Sequence, residues 1–177
     1  MVATEIEFSE VEVPPTLAIQ VPGRSGPSPA SIGAAIQTAF ETLHTLVSEH
    51  ALAPVNPPRV IYKSFGAEGV SFTLALPVAG AVPSLELQPL EGTKAYRFTH
   101  HGSHHNLMQT YGQITAFMKS QGWMQTDADW ARYMPMWEEY LNDPAKTPEA
   151  ELLTYIYLPA GATPKGPISG NVVVAEE

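Results

Sequence analysis

The same order of segments runs twice along this chain, and that duplication constrains the fold more than any composition figure. In the first half EIEFSEVEV alternates, breaks at Pro14 and Pro15, and resumes as TLAIQV. Such alternation puts one side of a strand inward. After the loop PGRSGPSP, Ser28 and Pro29 form an N-cap and first-turn proline. Ile32, Ile36, Phe40, Leu43 and Val47 recur at helical spacing, which predicts a helix to about Glu49. RVIYKSF and VSFTLALPV follow as strands around the turn GAEG.

The second half repeats the order. SLELQPL and TKAYRFTH read as a hairpin around Glu-Gly. A helix is expected from near Ser103, with Leu107, Tyr111, Ile114, Phe117 and Met118 as its apolar stripe and Gly122 as its left-handed cap. WARYMPMWEEYL reads as an edge or bent strand because of Pro135, and ELLTYIYLPA as the last strand. The tail GATPKGPISGNVVVAEE is loop-like, with one short strand candidate at VVVA. Each half has a strand that ends at a glycine, Gly23 or Gly102, and each closes on Leu-Pro, at Leu76-Pro77 or Leu158-Pro159. The expectation is an α+β fold of duplicated β-α-β-β units related by a pseudo-two-fold. An antiparallel sheet would carry two main helices on one face and a ligand groove between the halves. One domain over residues 1–163 would hold repeats at about 5–80 and 84–160, followed by a tail at 164–177.

Charge and residue usage narrow the function classes. Nine Lys and Arg are scattered against eighteen Asp and Glu, a net charge of −9, so no basic stripe is available for nucleic acid. This balance suits a neutral or cationic ligand. The absence of cysteine excludes thiolate metal sites, disulfides and a cysteine nucleophile. No apolar run approaches the roughly 20 residues of a membrane span, and the acidic start is unlike a signal peptide. A cytoplasmic protein with no cofactor and no direct nucleic-acid or membrane partner is expected.

The segment THHGSHHN holds four of the six histidines. His100 and His101 point to opposite faces of a strand, and His104 and His105 fall about 100° apart in a first helical turn. No spaced carboxylate motif accompanies them. A strand end, a glycine turn and a helix start account for them without a metal, with His101 as a groove-edge hydrogen-bonding group.

HHGSHHNLMQTYGQITAFMKSQGW resembles the H-x-G…L…Y…L…W…G segment of GyrI-like small-molecule-binding domains, and EEYLNDPAKTPEAELLTYIYLPA is similar to their Y-L-x-D-P…P-E-x-L-x-T-E-I-x-I-P ending. The resemblance spans about residues 10 to 160 and is strongest from Phe98 onward. It implies two β-α-β-β units and binding of bulky aromatic or cationic molecules. Relatives occur as effector-binding domains of AraC-type and MerR-type regulators or stand alone; some of the latter are hydrolases of strained electrophiles, and one namesake modulates gyrase. No helix-turn-helix is encoded here, so a stand-alone domain is expected. The family's polar pocket residue, the Glu of T-E-I, is replaced by Tyr155, which offers a hydrogen bond and a π-face but no charge.

The expected ligand-binding residues follow. Tyr155 and Tyr157 share a strand face, and two tyrosines so placed need hydroxyl partners. Tyr133 and Trp137 share a face of the neighbouring strand, and Trp123 follows the helix cap. Tyr62 and Phe72 come from the first half. Glu138 is the carboxylate that could replace the missing acid, although a solvated edge-strand carboxylate is the preferred reading of it. The catalytic candidates are Glu138 and His101. These residues support a drug- or effector-binding module with Tyr155 as tether, then a hydrolase of strained electrophiles, then a modulator of an unidentified protein partner.

Overall fold

The computed structural model describes residues 6–79 and 85–162. In chain order the elements are β1 (Glu7–Val13), β2 (Thr16–Ser25), α1 (Pro29–His50), β3 (Arg59–Gly66), β4 (Gly69–Pro77), β5 (Gln88–Leu90), β6 (Thr93–His101), α2 (Leu107–Ser120), β7 (Met136–Tyr140) and β8 (Leu153–Pro159). The eight strands form one antiparallel sheet in the order β1-β6-β8-β7-β3-β4-β2-β5. The two halves meet where β7 lies against β3, with Val60 opposite Glu138 and Tyr62 opposite Met136. The duplicated α+β architecture is as the repeat implied. The VVVA strand candidate lies outside the described residues.

The expected hairpin of β5 with β6 does not form. Instead β1 pairs with β6, Glu7 to Thr99 through Val13 to Thr93, and β2 pairs with β5, Thr16 to Leu90 through Ala18 to Gln88. The register is the same on both sides of the break, so the leading segment of each half runs along that of the other. Pro14 and Pro15 carry no amide hydrogen, and the ladder stops opposite Glu91 and Gly92. A Cβ on Gly92 would sit 2.8 Å from Pro15 Cδ and 3.0 Å from the Val13 carbonyl, so this crossing needs glycine. Because β1 continues into β2 and β5 into β6, the two ends of the sheet share the same segments and the sheet curls on itself.

Local signals set both helices. The Ser28 hydroxyl accepts from the Ser31 amide at 3.1 Å, and Pro29 opens α1. Ser103 caps a 3₁₀ turn, His104–Asn106, that runs into α2. Gly122 takes φ +75° beyond the end of α2. Both helices cover one face of the sheet. Leu43 of α1 and Ile114 and Met118 of α2 are buried in one core with Val60, Leu74, Phe98 and Ile156 of the strands. Each such side chain stabilises the fold by about 1.5–3 kcal/mol.

The predicted edge strand over residues 130–141 is also corrected. Asp129 accepts from the Gln125 and Thr126 amides at 2.6 and 3.1 Å, which winds Asp127–Tyr133 into a 3₁₀ segment. Tyr133 and Trp137 therefore share no strand face. What remains, β7, is an inner strand between β8 and β3.

Candidate functional site

Alternation along β7 sends Met136, Glu138 and Tyr140 toward the helices, and Trp137 and Glu139 to the opposite face. Glu138 is 3% exposed. The expectation of a solvated edge carboxylate fails, because β7 is central and α1 and α2 cover that face. Three phenols converge on the carboxylate. Tyr140, two residues along the same strand, donates to Oε1 at 2.5 Å, and Tyr62 of β3 donates to it at 3.2 Å. Tyr111, on the buried side of α2, donates to Oε2. The site thus stands on the seam, with Tyr62 from the first half and the rest from the second.

Burial pushes the Glu138 carboxyl above its ordinary range, and the three phenol hydrogen bonds and the nearby His100 pull it partly back. Burial and the Glu138 charge raise Tyr62, Tyr111 and Tyr140 well above an ordinary phenol, so all three remain donors at neutral pH. No lysine, arginine or histidine nitrogen among the described residues forms an ion pair with Glu138.

Around this cluster, His100 donates Nε2–H to the Ser103 carbonyl at 2.9 Å, and its Nδ1 lies 2.6 Å from the Thr110 hydroxyl. His104 packs on Tyr140 with ring centroids 5.2 Å apart, and burial, then the fields of His100 and His105, lower its pKa. Phe40 of α1 approaches Tyr140 at 6.0 Å, and Trp130 approaches Tyr111 edge-on at 5.7 Å. Thr154, opposite Tyr140 on β8, is fully buried with an unpaired hydroxyl. Chemically, the arrangement is a carboxyl group in a dry, aromatic-walled setting with phenol donors on both oxygens.

The structure brings together only some of the residues singled out from sequence. Glu138 and Tyr62 meet. Tyr155, Tyr157 and Trp137 lie on the other face of the sheet. There Trp137 stacks on Tyr157 at 5.0 Å, Tyr157 donates to Glu139 at 2.9 Å, and Arg97 lies 4.4 Å over the Tyr155 ring. Phe72 is core, its ring against Gly23. Trp123 stacks on Tyr96 at 4.6 Å, and Tyr133 donates to the Trp123 carbonyl at 2.9 Å. His101 is a half-exposed edge group that donates Nε2–H to Glu7 at 2.8 Å. It borders a polar cavity of about 360 Å³ that also includes His100, Thr110 and Gln113. Sequence reading took Tyr111 for core and passed over Tyr140 and His100. The available signal was Tyr140 two residues from Glu138, on the same strand face. No three metal-ligating side chains converge among the described residues, and no helix there is long and apolar enough to cross a membrane.

Comparison with known proteins agrees with the fold. The model of the GyrI-like small molecule binding domain matches residues 6–160. The C-terminal domain of EcmrR superposes with TM-score 0.63 at 13% identity, over 87% of this chain and 96% of that one. SAV2435, solved bound to tetraphenylphosphonium, gives 0.57 at 12% identity, over 88% and 93%. A hydrolase from Listeria innocua gives 0.52 at 17% identity, over 89% and 93%. At these identities the three structures show the shared fold. No curated protein matches.

Proposed function

The chain belongs to the GyrI-like small-molecule-binding family, and from that premise we propose that it binds a bulky apolar cation with Glu138 as the buried counter-charge. One observation carries the reading: a carboxylate closed off from water, held by three neutral phenols and, among the described residues, by no cation. A buried anion is costly unless a positive charge completes it. Aromatic rings beside it supply both apolar area and π-faces for a delocalised cation. The unpaired Thr154 hydroxyl leaves room for one further polar contact. Because Glu138 is only 3% exposed, a ligand must displace a covering side chain to reach it. Tetraphenylphosphonium, the molecule on SAV2435, has the required chemistry and serves as the probe. Titration calorimetry should give saturable one-to-one binding. Absence of binding or thermal stabilisation by this probe and by a panel of cationic dyes would remove the proposal.

The raised Glu138 carboxyl also favours a second reading, general-base attack of water on a strained electrophile, with a phenol as proton donor. Product formation by the wild type that disappears in Glu138→Gln would support it. Stoichiometric binding without product would end it.

A further inference from the structure

The sheet face turned away from both helices carries a polar cluster that the Glu138 site does not use. Arg59, at the start of β3, is 7% exposed. Its Nε is shut from solvent and makes no hydrogen bond, and no carboxylate among the described residues forms an ion pair with it. Glu139 stands directly opposite in register, but its Oε1 accepts from Tyr157. The guanidinium lies over Trp137 at 5.5 Å from the ring centroid. Arg97, half-buried on β6, covers Tyr155. Among the described residues, two guanidinium charges therefore share this face with the Glu139 carboxylate, while Glu7, farther along β1, is taken up by His101. The chain as a whole carries −9, so this positive spot is local and not a general property of the surface. Ala18, Ala75 and Ala95 are fully buried beneath it, and Val11, Val13, Ile61 and Tyr155 remain half-open apolar groups at its margin.

An arginine has five donors in a planar fork that matches a carboxylate, and a buried guanidinium is unfavourable until such a partner completes it. Burial acts on Arg59 in that sense and lowers its pKa, with the Glu139 field opposing. A hydrocarbon side chain would fill the same space without this cost. We propose that the curled face is a second binding site, for a small organic carboxylate whose oxygens pair with Arg59, with Arg97 on the same face adding its positive field, and whose apolar body rests on Tyr155 and Ile61. The two faces of one sheet would then select opposite charges. This site stands or falls independently of the Glu138 reading, since it shares no side chain with it.

Sodium benzoate is the probe, added to the full chain and followed by amide resonances, with sodium chloride at equal ionic strength as control. Saturable shifts confined to β3, β7, β8 and β6 are expected, and tetraphenylphosphonium should not displace benzoate. Arg59→Met should weaken the binding by about tenfold or more. Arg97→Gln, at a half-exposed position, should weaken it as well and covers the case that Arg59→Met does not fold. The proposal is overturned if benzoate gives no saturable shift at these strands, if chloride reproduces the shifts, or if Arg97→Gln and a folded Arg59→Met bind as tightly as the wild type.

Discussion

Replacing Glu138 by glutamine removes a charge and keeps the shape. Because the carboxylate is closed off from solvent, its field acts at an effective dielectric nearer 20 than 80. A cation centred about 5 Å away then gains about 3 kcal/mol, against under about 1 kcal/mol were the carboxylate solvated. At 1.4 kcal/mol per tenfold, Glu138→Gln should weaken tetraphenylphosphonium binding about a hundredfold. Triphenylphosphine oxide, aromatic but neutral, should lose little. The same substitution tests the titration. The folded pKa of Glu138 is raised, so the folded chain holds its proton more tightly than the unfolded chain. Its ionisation therefore disfavours folding above the raised pKa. Stability is regained as pH falls through that value toward the ordinary glutamate range, and Glu138→Gln should flatten that slope. In the wild type, phosphonium affinity should fall over the same pH window because the proton competes with the cation. Calorimetry at several pH values measures both effects. Equal phosphonium affinity in the wild type and Glu138→Gln would refute the counter-charge argument.

The phenols can be tested one at a time: Tyr111→Phe and Tyr140→Phe each remove a donor from a buried carboxylate and should lower stability by about 1–3 kcal/mol in denaturant titrations at neutral pH. Their effects should be non-additive, because both act on Glu138. Gly92→Ala should cost about 1–3 kcal/mol by the same measurement, since the new methyl meets Pro15 and the Val13 carbonyl where the two leading segments cross. Ile114→Ala empties a fully buried position under α2 and should cost about 2–5 kcal/mol, seen as a lower Tm.

Elements with local causes were legible. Ser28 and Pro29 start α1 because a hydroxyl can accept an orphan amide and proline lacks one. Gly122 ends α2 because the left-handed conformation suits glycine. The candidate site was legible in part. Tyr62 and Glu138 were among the residues singled out, yet Glu138 was read as solvated. That error followed from Pro135, which suggested an edge strand, whereas the strand begins only after it and lies inside the sheet. Tyr111 read as core because a phenol on an apolar stripe does not reveal which acceptor it will meet.

From its own residues the chain determines a doubled β-α-β-β order, two amphipathic helices and alternating strands, since these depend on neighbours within a few positions. Folding alone decides that the leading segments cross between halves, that β7 becomes an inner strand, and that Tyr62, Tyr111 and Tyr140 meet on one carboxylate. Tyr62 and Glu138 are 76 positions apart, and a hydrogen bond between them depends on strand register and sheet curl, which no local pattern encodes.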